Sequence, residues 1–181
     1  MITILDTSAL ITLYKINAVK HLNSIFNEVY IPLKVEKEFL AEKSSERFNF
    51  LLFSFEEHMW LKKCQTFNDE TIDLLGSNRK LDPGEIEAIA QYKQLQMDLE
   101  IEDGKINCII DESTARKVAQ NMDIRVNGTL YLLALLDLNG FIDYYKETQR
   151  IKKERRYTDK IINEAFVKAK NNFRKGIVFN S

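Results

Sequence analysis

Twice in this chain a short apolar run stops at an aspartate and gives way to a helical pattern. Ile2 to Leu5 ends at Asp6, after which Ala9, Leu10, Leu13 and Tyr14 recur at helical spacing, and Ile106 to Ile110 ends at Asp111, with Ala115, Val118 and Ala119 following. Val29-Tyr30-Ile31, closed by Pro32, leads in the same way into a helix through Val35, Phe39 and Leu40, and Ile124 to Val126 leads into an apolar helix over 129–138 that stops at Asn139-Gly140. In Leu81-Asp82-Pro83-Gly84-Glu85, Asp82 suits the N-cap, Pro83 the first helical position and Glu85 the third, so a helix through Ile86, Ile89, Ala90 and Met97 starts here. Weaker patterns suggest a buried helix end over 48–55, a third strand around Trp60, Leu61 and Cys64, a loop over 76–80, and helices over 142–151 and 158–173. Parallel strands need helix-length connections, so this alternation predicts an α/β fold: a three-layer α/β/α sandwich in one domain.

Composition narrows the class further. A chain of 181 residues with 45% hydrophobic and 29% charged residues can bury a core without a metal or disulfide, so a metal here would serve chemistry. Cys64 and Cys108 do not make a disulfide framework, which suggests a reducing compartment. The N-terminus has no basic segment before its apolar run, and the longest later apolar stretch, 130–136, is far shorter than the ~20 residues of a membrane helix. A cytoplasmic protein without a membrane partner is expected.

The chemistry is expected at the acids that end strands. In an open α/β sheet, ligands bind beyond the carboxyl ends of the strands, near the point where strand order reverses. If the strands before Asp6 and Asp111 are neighbours, the two carboxylates face each other there, and like charges so close call for a cation. Oxygen ligands without His or Cys suit Mg²⁺ or Mn²⁺. The competing role for each aspartate is N-cap of the helix that follows it. At 100° per residue Glu85 flanks the Ile86/Ile89 face while Glu87 points to solvent. Glu38 flanks the Val35/Phe39 stripe, with Glu42 one turn on as a reserve. Phosphate-loop, dinucleotide-loop and zinc-helix motifs are lacking, and His21 and His58 stand outside any ligand spacing.

Five pieces in order resemble the PIN-domain nucleases, and in particular the prokaryotic branch related to VapC-type toxin ribonucleases. They are Leu5-Asp6-Thr7-Ser8; Ile31-Pro32 through Val35 and Glu38; Leu81-Asp82-Pro83-Gly84-Glu85 through Ala90; Ile109-Ile110-Asp111-Glu112 with Ala115-Arg116; and Val126-Asn127-Gly128-Thr129 before an apolar helix. The resemblance implies a mostly parallel sheet of about five strands. It implies one PIN-like domain over 1–181, with a core to residue 142 and a helical, basic extension over 143–181. It also implies that Asp6, Glu38, Glu85 and Asp111 form an acidic cluster binding Mg²⁺ or Mn²⁺, that Ser8 supports the first aspartate, and that Thr129 lines the same pocket.

The activity implied is hydrolysis of RNA, single-stranded or tRNA, within a toxin–antitoxin or defence system, with an antitoxin protein and a homodimer as further partners. A PIN-like binding module that does not cut, and a nuclease acting on DNA, are the alternatives. Four acids repel a polyanion, so basic groups must compensate. Residues 141–181 carry 11 Lys/Arg against 5 Asp/Glu, whereas residues 1–140 carry 15 against 22. Arg150, Lys152, Lys153, Arg155 and Arg156 are therefore the candidate RNA contacts, with Tyr157 placed to stack on a base. A solvated helix face is the competing reading of that run.

Overall fold

Strand β1 (Ile2–Leu5) lies at the centre of a five-stranded sheet, fully parallel, in the order β3-β2-β1-β4-β5. Its partners are β2 (Glu28–Ile31), paired Ile2 to Glu28, and β4 (Ile106–Ile109), paired from Ile2 with Ile106 to Leu5 with Ile109. Outside these lie β3 (Leu61–Lys63) and the two-residue β5 (Val126–Asn127). In this computed structural model the described residues are 1–41, 46–47, 49–51, 59–64, 67–98 and 105–174. Glu42, His58 and most of the 48–55 stretch lie outside them.

The connections are α1 (Thr7–Lys15), a 3₁₀ turn (Val19–Ser24), α2 (Leu33–Ala41), α3 (Asp69–Gly76), α4 (Pro83–Asp98), α5 (Ser113–Asn121), α6 (Thr129–Leu138), α7 (Tyr144–Arg155) and α8 (Asp159–Arg174). The 3₁₀ turn and α3 go beyond the sequence reading. Helix α3 starts at Asn68, whose side chain accepts from Thr71 N at 2.9 Å, with Asp69 and Glu70 in its first turn. Those are ordinary start signals.

Side chains alternate across a strand, and here each face of the sheet meets helices. Leu5, Val29, Ile31 and Ile109 pack with α1, α2 and α6–α8, while Ile2, Ile4, Ile106, Cys108 and Val126 pack with α3–α5. This is the expected three-layer α/β/α sandwich. Every residue of α6 from Thr129 to Leu136 is buried, as befits a helix that is apolar all round. Helix α8 closes over it through Ile162 and Ala169. Arg156, in the left-handed conformation at φ 55°, ends α7 and turns the chain into α8. Both cysteines are buried free thiols. Among the described residues no helix is long and apolar enough to cross a membrane.

Candidate functional site

The chain runs from β1 outward through β2 to β3, then returns to the other side of β1 for β4 and β5. Strand order therefore reverses between β1 and β4, and Asp6 and Asp111 follow the carboxyl ends of those two strands. Asp6 N donates to Ile109 O at 3.0 Å, carrying the ladder one step past the strand. Asp111 N in turn donates to Asp6 Oδ2 at 2.9 Å, which joins the two acids directly.

The two aspartates are held differently. Asp6 is the N-cap of α1, its Oδ1 accepting from Ala9 N at 2.6 Å, and it is 4% exposed. Burial and, next, the neighbouring Asp111 charge push its pKa up to about 7, against the pull of the two backbone N–H groups. Asp111 does not cap the helix that follows it. Glu112 does so, accepting from Thr114 N at 3.2 Å. One residue further out, the Asp111 carboxylate caps α6 instead: Oδ1 accepts from Thr129 N at 2.7 Å and Oδ2 from Thr129 Oγ1 at 2.9 Å. The N-cap position of α6 is Gly128, which has no side chain for the task. A Cβ there would stand 3.2 Å from Asp111 Oδ1 and 3.5 Å from Arg116 Nη1, so any other residue would make the Asp111 carboxylate give by a few tenths of an ångström. Tyr157 donates to Asp111 Oδ2 at 3.1 Å, and burial followed by that carboxylate raises its phenol well above the usual range. Arg116 secures the loop by donating to the carbonyls of Ile110 and Asp111.

Glu38 and Glu85 come to the same edge from the flanking helices. Glu38 Oε2 accepts from Thr7 Oγ1 at 2.5 Å, beside Asp6, and a Cβ at Gly84 would meet the same oxygen at 3.1 Å. Glu85 accepts from Asp82 N at 2.9 Å, the reciprocal half of the anticipated capping box. It is buried; desolvation raises its carboxyl pKa, and the charges of Asp82, Glu112 and Glu38 act in the same direction. Glu87 does not point to solvent. It accepts from Lys34 N at 2.6 Å and so caps the first turn of α2, because α2 and α4 start side by side.

Among the described residues no three His, Cys, Asp or Glu side chains gather as the ligand set of one ion. The close pair is Asp6 with Asp111, while Glu38 and Glu85 stand beside it. That donor set fits Mg²⁺, which is usually held by one or two carboxylates and keeps several waters. Each carboxylate oxygen has two acceptor positions; Asp111 Oδ2 fills both with Thr129 Oγ1 and Tyr157, whereas Asp111 Oδ1 and both Asp6 oxygens accept one bond each and keep capacity. Asp6, its pKa raised first by burial and then by a second carboxylate, is the kind of site a cation relieves.

The remaining candidates divide. The Ser8 hydroxyl accepts from Arg155 Nη1 at 3.1 Å, and its carbonyl from Arg155 Nη2 at 2.7 Å, so Ser8 anchors the end of α7 rather than touching Asp6. Arg150 pairs with Glu147 and Lys152 with Asp159, each at 2.6 Å and partly exposed, where such bridges contribute little. Lys153 and Arg156 are exposed. Thr7, Arg116 and the Tyr157 hydroxyl were not anticipated in these roles. Arg116 was visible only as part of a motif, and nothing local marks a tyrosine in the α7–α8 turn as a partner of Asp111.

The fold is a fully parallel α/β sandwich with paired acids at its switch point. A family model described as a PIN domain matches residues 2–171, and the chain belongs to that family, whose fold is of the nuclease type. A comparison with curated proteins finds no significant match.

Proposed function

We propose that the protein is a metal-dependent endoribonuclease of the VapC-type branch, acting on single-stranded RNA or tRNA. Toxin or defence use, an antitoxin partner and a homodimer belong to the same reading, and rest on the ordered motifs from Leu5 to Thr129. The observation that carries the catalytic part is the Asp6–Asp111 pair: adjacent strand ends, a direct N–H link, and one carboxylate buried beside another.

Asp6 and Asp111, with Glu38 and Glu85 directly or through water, would hold Mg²⁺ or Mn²⁺, which when bound would supply neutralisation of phosphoryl charge and a lowered pKa for a water. The protein's own residues set the geometry. Asp6 is fixed by Ala9 N and Asp111 N, Asp111 by Thr129 and Tyr157, Glu38 by Thr7, and Glu85 by Asp82 N. Water attacks phosphorus in line, the bond to the 3′-oxygen breaks, and the proton ends on that oxygen. The products are a 5′-phosphate and a 3′-hydroxyl.

The test incubates purified protein with labelled single-stranded RNA, a tRNA pool and single-stranded DNA, in Mn²⁺, Mg²⁺ or EDTA. An Asp6→Asn plus Asp111→Asn variant runs alongside. Metal-dependent cutting of RNA by the wild type alone is the expected result. A 2′,3′-cyclic product contradicts the mechanism, preference for DNA contradicts the substrate, and equal inertness of both proteins contradicts the enzyme.

A further inference from the structure

A cavity of about 420 Å³ opens between β5, α6 and the α7–α8 turn, and Asp111 is among the residues that line it. The volume is within the range that takes a small ligand. Four cationic side chains line it, Arg116, Arg155, Arg156 and Lys168, against two acids, Asp111 and Glu164. Tyr131 and Tyr157 supply aromatic wall.

The four cations are not equivalent. Arg155 is committed to Ser8, and Arg116 reaches the carbonyls of Ile110 and Asp111 through Nη1 only. Lys168 donates to Asn127 Oδ1 at 2.7 Å and stands 5.5 Å from the centre of the Tyr131 ring. An ammonium has three donors, so that bond leaves two. Asn127 is in turn fixed by donating to Asn107 Oδ1 at 3.0 Å, which makes the base of Lys168 a built contact. Arg156 stands exposed at the rim. Burial and the guanidinium groups of Arg116 and Arg125 lower the Lys168 pKa, so these cations crowd one another, and an anion between them removes that cost.

We propose that this cavity is a subsite for one nucleotide of the substrate strand adjacent to the scissile phosphodiester. Its backbone phosphate lies against Lys168, Arg116 and Arg156, and its sugar and base lie against Tyr157. The proposal rests on the nuclease reading for the word substrate, but its basis is the cationic lining. It also shifts the contact surface away from Arg150 and Lys152, which pair with Glu147 and Asp159, to residues of α5, α8 and the turn between α7 and α8.

The experiment uses the full chain carrying Asp6→Asn, in EDTA, so that binding is read without cutting. A fluorescein-labelled 10-mer of single-stranded RNA is titrated by anisotropy at several salt concentrations, with Lys168→Met, Lys168→Arg and Arg156→Asn each added to that background. Asparagine tolerates the left-handed backbone at 156, and the rim position leaves the core intact if Lys168→Met unfolds. Lys168→Met and Arg156→Asn are each expected to weaken binding severalfold and to lower the salt slope by about 0.7, the value of one phosphate contact on a single strand. Lys168→Arg keeps the slope because it keeps the charge, whereas a merely structural Lys168 would leave the slope unchanged even in Lys168→Met. Unchanged affinity and slope in the folded variants overturn the subsite. So does displacement of the 10-mer by adenosine 5′-monophosphate at concentrations near the strand's own Kd, which makes the cavity a free-nucleotide pocket. If the variants lose affinity while the wild-type protein cuts no nucleic acid in Mn²⁺ or Mg²⁺, the subsite stands and the cleavage reading fails.

Discussion

Replacing Asp6 by asparagine in the absence of metal should stabilise the protein at alkaline pH and cost stability at acid pH. The Asp6 carboxyl titrates near 7 in the folded protein and at the ordinary 3.8 when unfolded. Between those values the unfolded chain has released its proton while the folded chain still holds it. The unfolded state therefore binds fewer protons, and wild-type stability falls as pH rises, by about 1.4 kcal/mol per pH unit. The fall begins near pH 4, ends near pH 7 and totals roughly 4 kcal/mol for this buried group. The substituted asparagine escapes this loss and can still accept from Ala9 N. Its amide NH₂, however, would confront Asp111 N, an unmade bond costing about 1–3 kcal/mol at every pH. The variant should thus be less stable than wild type at pH 4 and more stable by roughly 1–3 kcal/mol at pH 8, the curves crossing between. Urea unfolding in EDTA at half-unit pH steps measures the difference directly. A difference curve flat from pH 4 to 8 would refute the claim that burial and Asp111 hold Asp6 above the usual carboxylate range.

Other perturbations address the parts around that pair. Tyr157→Phe removes one donor from Asp111 Oδ2; Mn²⁺ affinity, measured by calorimetry, should fall about tenfold, as for other partners of ligating groups, and unchanged affinity would mean that the phenol only packs. Gly128→Ala places a Cβ 3.2 Å from Asp111 Oδ1, so single-turnover cleavage should drop at least about tenfold while the circular dichroism spectrum is retained. Arg155→Met removes both bonds to Ser8 and should cost about 1.5–3 kcal/mol in urea unfolding, since it unfastens the end of α7 from the start of α1.

Much of the frame was legible because it depends on local pattern. The apolar runs at Ile2, Val29 and Ile106 became β1, β2 and β4, the weaker signal at Leu61 became one edge strand, and the run from Ile124 to Val126 became the other, displaced to Val126–Asn127. The capping box at Asp82 and Glu85 formed as its spacing required. What local pattern cannot carry is which helix start lies beside which acid. Asp6 caps its own helix, but Asp111 and Glu87 each cap a helix distant in sequence, and helical-wheel geometry put Glu87 in solvent for that reason. Ser8 turned toward Arg155, and Lys168 toward Asn127, because α7 and α8 fold back over α6. The sign of the C-terminal charge was readable, whereas which cations are paired and which reach a cavity depends on that fold-back. Helix α3 is a different case, since its start signals, Asn68 with Asp69 and Glu70, are local and stand in the sequence itself.

The unequal anchoring of the two aspartates has an evolutionary side. Without bound metal, Asp6 burdens the fold at neutral pH by more than its cap of α1 returns, while Asp111 supports it by closing the open start of α6; a helix cap contributes about 0.5–2 kcal/mol. A descendant released from selection for cleavage gains stability by shedding the first and loses it by shedding the second. In such lineages decay should begin at position 6, and an intact residue 111 is then a relic of architecture that says nothing about surviving activity.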